Sequence, residues 1–86
     1  MSSETLIEFP ADIVVKAMGL NEGDFEALVS ELVRPHVEPE AVSFTAVPSK
    51  EGKYLSVRAH FTATSHEHLL GIYAALKAEE RVLYTL

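Results

Sequence analysis

Ten consecutive residues, Tyr54 to Ala63, alternate strictly between two kinds of side chain. The odd-numbered positions are apolar, and the even-numbered positions are polar or aromatic. A period of two is that of a β-strand, whose successive side chains point to opposite faces of a sheet. The preceding segment, residues 49–53, contains Gly52, which suits a hairpin turn. The pattern therefore predicts a strand with one face on a core, and a hairpin that joins it to the strand before.

The chain before the hairpin has the pattern of a strand followed by an amphipathic helix. Residues 12–18 are rich in β-branched side chains, which favours a strand that ends at Gly19. Asn21 is placed to cap the following helix, and Pro35 is placed to end it near Arg34. The helix carries one apolar stripe at α-helical spacing, made of Phe25, Leu28, Val29, Leu32 and Val33.

Three further elements complete the pattern. Residues 41–47 predict a second strand, which ends at Pro48. Thr64 and Glu67 match a capping box at the start of a second helix. The apolar stripe of that helix consists of Leu69, Ile72, Tyr73 and Leu76. Residues 81–86 predict a last strand, and because either of its alternating sets can face inward, its register stays open.

The order of elements is therefore β-α-β-β-α-β, two βαβ units joined by a hairpin. Right-handed crossovers place both helices on one face of a four-stranded antiparallel sheet with the strand order 4-1-3-2. This predicts an α+β, ferredoxin-like sandwich that forms a single domain over residues 11–86. Residues 1–10 are predicted to be an N-terminal tail or short edge segment, in which residues 6–9 have strand character.

Composition narrows the class of protein. The chain has 86 residues, no cysteine and a formal net charge of −6. Without cysteine there are no disulfides or thiolate metal ligands, and the N-terminus lacks the pattern of a signal peptide. These features predict a cytoplasmic protein without membrane contact. Because the few basic residues are scattered along an acidic chain, we expect no nucleic-acid binding.

The polar positions of the strands fall together on the sheet face away from the helices. We expect this face to be polar and open and to include Lys16, Ser56, Arg58 and His60, with Ser43, Thr45 and Thr62 beside them. An open face of this kind is a candidate surface for a protein partner. The alternative is a face that is only solvated, which is normal for an antiparallel sheet.

The turn after the first strand is a candidate ligand site. Met18, Gly19, Leu20 and Asn21 precede a predicted helix N-terminus, where backbone N–H groups can receive a carboxylate. The alternative is a structural turn, since a strand-to-helix connection itself needs a glycine and an N-cap residue.

No combination of residues predicts catalysis. His66 and His68 are two positions apart, which directs them to different sides of a helix and argues against a shared metal ion. The serines lie outside any nucleophile-elbow pattern. We therefore expect no catalytic residues, no metal ligands and no cofactor.

Several ordered motifs resemble those of the YbeD-like family of small bacterial proteins of unknown function. They are Phe9-Pro10 with Lys16-Ala17-Met18-Gly19, the hairpin from Pro48 to Val57, the run Ile72-Tyr73-Ala74-Ala75-Leu76, and Arg81-Val82. The sequence departs from the family pattern at Ala17, where a bulkier valine is expected. The resemblance covers about residues 6–86 and implies a fold like that of ACT domains. Such regulatory domains pair edge to edge and bind amino acids near the first strand-helix turn. Some relatives are encoded beside lipoate-metabolism genes.

Two functions are consistent with the sequence. The first is a non-catalytic regulatory or adaptor module that contacts an unidentified protein partner through the open sheet face and an edge strand. The second is an ACT-like sensor of a small-molecule effector at residues 18–21, which is an analogy from the fold. The sheet edges permit a homodimer without requiring one.

Overall fold

The structure is a computed structural model that describes residues 8–86. Its strands and helices are β1 Ala11–Leu20, α1 Phe25–Val33, β2 Ser43–Pro48, β3 Tyr54–Ala63, α2 His66–Lys77 and β4 Tyr84–Thr85. Two 3-10 turns, at Arg34–His36 and Pro39–Ala41, connect α1 to β2. Of the predicted edge segment at residues 6–9, residues 6 and 7 lie outside the described residues, and Glu8 and Phe9 do not belong to a strand.

The four strands form one antiparallel sheet in the order β2-β3-β1-β4. This is the predicted order read from the other edge, and the α+β fold is confirmed. The buried side chains of α1 and α2 share one core with those of β1 and β3, so the two helices cover the same face of the sheet.

The core contains the residues that the sequence pattern assigned to it. Its fully buried members are Val15, Ala17, Phe25, Val29, Val33, Val57, Ala59, Phe61, Ala63, Ile72 and Leu76. The remaining stripe residues of the helices are half-buried at its border, namely Leu28, Leu32, Leu69 and Tyr73. Burial contributes roughly 25 cal/mol for each Å² of apolar surface removed from water, so this cluster supplies the main stabilisation of the fold.

The first strand is longer than its sequence indicates. Gly19 does not end it, because Gly19 pairs with Leu55 and Leu20 pairs with Tyr54 in the ladder between β1 and β3. Pairing with a long neighbouring strand therefore overrides the tendency of glycine to interrupt a strand. The second strand also differs from the predicted residues 41–47. Ala41 belongs to a 3-10 turn, and β2 runs from Ser43 to Pro48.

Both predicted helix caps were wrong. α1 begins at Phe25 behind Asp24, and the side chain of Asp24 makes no capping hydrogen bond. The cap of α2 is Ser65, whose side chain accepts a hydrogen bond from the backbone N–H of His68 at 3.1 Å. Thr64 and Ser65 are adjacent residues that both carry a hydroxyl group. β3 ends at Ala63, and α2 begins at His66, so Ser65 occupies the N-cap position.

The last strand has a defined register. Thr85 lies opposite Ala17, and Tyr84 lies opposite Met18. Lys16 and Leu86 exchange two backbone hydrogen bonds, of 3.0 and 2.9 Å. Since opposite residues share a face of a sheet, Thr85 faces the helices, whereas Tyr84 and Leu86 point away from them. Val82, before the strand, packs against the core.

A bidentate ion pair joins the start of α1 to the connector before β4. The guanidinium group of Arg81 donates to the two carboxylate oxygens of Asp24 at 2.8 and 3.1 Å, and to Glu22 at 3.3 Å. It also lies over the ring of Phe25. The hydrogen bonds and the positive charge of Arg81 hold the pKa of Asp24 below its ordinary value of 3.8.

Asp24→Asn is expected to make stability less sensitive to acid. Because the pKa of Asp24 is lower in the folded chain than in the unfolded chain, its carboxylate stabilises the fold above about pH 4. That contribution is lost as the pH falls through the lowered pKa. Urea denaturation at a series of pH values should show a steeper loss of unfolding free energy in the wild type than in the variant.

The matched control is Glu31→Gln, since Glu31 is exposed on the same helix and lies outside both ion pairs. It should retain the wild-type slope. Identical slopes for all three proteins would contradict the assigned role of the ion pair.

Candidate functional site

The register of the strands assigns every strand residue to one of two faces. The side away from the helices is called the outer face here, and it is formed by alternate residues of all four strands. Its members are Asp12, Val14, Lys16, Met18, Leu20, Ser43, Thr45, Val47, Tyr54, Ser56, Arg58, His60, Thr62, Tyr84 and Leu86. The four residues of the predicted partner surface are therefore brought together on this face.

The outer face also carries most of the exposed apolar surface. Seven large hydrophobic side chains are exposed in residues 8–86. Five of them belong to the outer face, namely Val14, Leu20, Val47, Tyr84 and Leu86. Each is 43% to 55% exposed. The face is thus less polar than expected. The sequence left the register of β4 open, so Tyr84 and Leu86 were not assigned to this face. On β2 the expectation was based on Ser43 and Thr45 and did not include Val47.

Polar side chains occupy the middle of this apolar surround. Lys16 of β1 lies opposite Arg58 of β3, which in turn lies opposite Thr45 of β2. His60 approaches Thr45, with 3.3 Å between Nε2 and the hydroxyl oxygen. The ion pairs formed within residues 8–86 are those of Arg81 with Glu22 and Asp24, so neither Lys16 nor Arg58 is paired there.

Gly19, in the candidate ligand turn, has a packing role. A Cβ atom at Gly19 would lie 2.5 Å from Cε1 of Phe25 and 2.6 Å from the carbonyl oxygen of Arg81. The residue is buried, and its missing side chain leaves the space that the Phe25 ring occupies. The glycine therefore allows α1 and the connector before β4 to approach β1.

Asn21 fastens this turn to the β2–β3 hairpin and does not cap α1. Its backbone N–H donates to the carbonyl of Lys53 at 2.8 Å, and its side-chain amide donates to the carbonyl of Gly52 at 3.0 Å. Gly52 has a φ of +79°, the left-handed conformation that its position in the hairpin requires. The backbone and side-chain donors of Asn21 are thus both used within the fold. A cavity of about 230 Å³ lies beside it, lined by Leu20, Glu22, Glu80, Arg81 and Leu83.

Both ring nitrogens of His68, on α2, make hydrogen-bond contacts within the fold. Nδ1 of His68 accepts from the backbone N–H of Thr64 at 3.0 Å, and Nε2 contacts the carbonyl oxygen of His36. No group of three or more metal-ligating side chains occurs in the part of the chain that the structure describes. Within the same part, no helix has the length and apolarity needed to cross a membrane.

Serine, histidine and aspartate do not combine into a nucleophilic arrangement. The hydroxyl of Ser65 caps α2, and Asp12 accepts a hydrogen bond from Thr62 at 3.2 Å. His60 contacts Thr45 and not a serine. Catalysis of that kind requires a nucleophile hydrogen-bonded to its base, and none of these contacts joins a serine hydroxyl to a histidine ring.

Gly19→Ala is expected to destabilise the fold by about 1–3 kcal/mol, because the new methyl group must displace a buried ring and a backbone carbonyl. Gly23→Ala is the matched control, since a Cβ there meets no atom within 4 Å. Its effect should stay within about 1 kcal/mol. Urea denaturation measures both, and equal stabilities of the two variants would refute the packing role.

Comparisons with known proteins support one assignment. The profile of the family described as "Protein of unknown function (DUF493)" matches residues 4–86. A UPF0250 protein from Hahella chejuensis is 41% identical over 81 residues, covering 93% of this chain and 89% of the relative. A UPF0250 protein from Janthinobacterium sp. is 37% identical over 86 residues, covering 98% of this chain and 93% of the relative.

A solved structure agrees with the architecture. The solution structure of a protein from H. pylori superposes with a TM-score of 0.70 over 93% of this chain and 85% of that protein. Its sequence is 17% identical, so this likeness concerns the fold alone. The profile and the relatives cover nearly the whole sequence, as the resemblance to YbeD-like proteins predicts. The chain therefore belongs to the DUF493 family of proteins of unknown function.

Proposed function

We propose that this protein is a non-catalytic regulatory or adaptor module of the cytoplasm that binds a protein partner through its outer face. One observation carries the proposal: of the seven large hydrophobic side chains that are exposed in residues 8–86, five lie on that face, around Lys16 and Arg58. Scattered apolar residues on a surface are ordinary, whereas their concentration on one face marks an interaction surface.

The arrangement has the anatomy of a docking surface. Apolar side chains supply affinity, since fully burying a Val or Leu side chain contributes roughly 1.5–3 kcal/mol. Polar side chains in the middle supply direction, and Lys16, Ser56, Arg58 and His60 offer hydrogen-bond donors there. The backbone positions that carry these four side chains are also fixed relative to one another before binding, which lowers the entropic cost of association.

The edge of the sheet at β2 adds a second contact route. The backbone N–H of Ser49 bonds to Tyr54, and alternation from that pair directs the backbone groups of Phe44 and Ala46 away from β3. These groups face the open edge and are available for strand addition. β2 pairs over six residues, whereas β4 spans two, so β2 offers the longer edge.

Site-specific photo-crosslinking tests the proposal. With p-benzoylphenylalanine placed at Val14 or Tyr84, we expect adducts in cells to a protein whose binding is weakened by Arg58→Ala and His60→Ala. Leu70 is the matched control position, because it is 51% exposed but lies on α2, away from the outer face. Adducts that form equally at Leu70, or that form at neither outer-face position, would refute the proposal.

A second function, sensing of a small metabolite at Met18–Asn21, is supported by the cavity of about 230 Å³ beside Leu20. Backbone-amide NMR with pooled amino acids, lipoyl and octanoyl compounds, and nucleotides tests it. This function predicts shifts that cluster at Leu20, Glu22 and Leu83. A spectrum unchanged by every pool would eliminate these compounds as effectors. The docking function would then be the proposed function that remains.

A further inference from the structure

The outer face holds two like charges directly opposite each other. Lys16 and Arg58 are partners in the ladder between β1 and β3, so their side chains leave the same face at the same level. Both backbone groups of Lys16 bond to Leu86 on the other side, so Lys16 and Arg58 form a non-hydrogen-bonded pair. In such pairs the side chains are closest, and like charges directly opposite destabilise the sheet.

Acidic side chains at the outer-face positions do little to balance these two charges. The sequence contains thirteen acidic and seven basic residues, yet Asp12 is the single acid among the outer-face positions. Asp12 lies at the far end of β1 and accepts a hydrogen bond from Thr62. The charge of the outer face is therefore opposite in sign to that of the chain, and an anion placed between Lys16 and Arg58 would relieve their repulsion.

We propose that the partner presents an acidic protein segment to the outer face, with a carboxylate between Lys16 and Arg58 and apolar side chains on Val14, Val47 and Tyr84. This inference rests on the docking function proposed above. The apolar contacts supply affinity, and the charges select the partner and orient it. The site thus retains an unfavourable cation pair in the free protein because the pair becomes favourable in the complex.

Other occupants fit the charges less well. A second copy docked by the same face around a two-fold axis would bring four cations together. A nucleic acid or an anionic membrane would be repelled by a chain with a net charge of −6. The two cations of the outer face would neutralise few phosphates of either partner. An acidic protein segment matches the two cations locally and the apolar surround at the same time.

Charge reversal in the purified protein tests the premise. Arg58→Glu and Lys16→Glu should each lower the unfolding equilibrium constant about twofold to fivefold, because opposite charges then face each other across the strands. The double variant should lose this gain, and salt near 1 M should reduce it. Lys50→Glu is the control with the same change in charge, placed on the exposed hairpin. Single reversals that stabilise no more than Lys50→Glu would overturn the inference.

The crosslinked segment tests the identity of the occupant. Peptide mapping of the adducts formed at Val14 and Tyr84 should find a segment with more acidic than basic residues. Arg58→Glu should lower the adduct yield at least about tenfold, and Lys50→Glu should leave it unchanged. A neutral or basic segment, an equal loss with Lys50→Glu, or co-sedimentation of the wild type with phosphatidylglycerol vesicles would overturn the inference.

The two proposals fail in different ways. Adducts confined to the outer face but formed with a neutral segment would refute the acidic partner and keep the docking function. Absence of adducts specific to the outer face would refute the docking function, and the acidic partner with it.

Discussion

The antiparallel pairing of β1 with β3 is the interaction on which the rest of the structure depends. It joins Ala11–Leu20 to Tyr54–Ala63 without a bulge, residue for residue. This register places Val15, Ala17, Val57, Ala59 and Phe61 on one side, where the two helices cover them. A shift of one residue would send that set to solvent, so the register is held by the whole hydrophobic core.

The same register creates the outer face. Because successive residues of a strand alternate between faces, the positions that fill the core fix which residues lie opposite each other outside it. Lys16 and Arg58 are brought together in this way, at the centre of the sheet. Two like charges opposite each other are expected to cost stability in the free protein, and such a local cost in an otherwise consistent fold supports the proposed docking role. The exposed apolar side chains around Lys16 and Arg58 also contribute little to the stability of the free protein, since they lie outside the core.

The turn after β1 has a packing role at the same place where the sequence predicts a candidate ligand site. Gly19 and Asn21 have the residue types of an anion-binding strand-helix turn. In the structure, the small size of Gly19 admits the ring of Phe25, and Asn21 bonds to the hairpin through Lys53 and Gly52. Together with the Arg81–Asp24 ion pair, these contacts hold four loops and helix ends at one end of the sheet. The role of a glycine or an asparagine is thus set by what packs against it.

The sequence by itself determined the order of elements, the strand order, the helix stripes and the family, because periodicity and ordered motifs are properties of the chain alone. It also placed Lys16, Ser56, Arg58 and His60 on one face, since strand alternation is local. Tertiary structure decided the rest. The length of β1, the cap of α2, the register of β4 and hence the positions of Tyr84 and Leu86 depend on pairing with distant segments. Where local preferences nearly balance, as between Thr64 and Ser65, the contacts of the folded chain select the outcome.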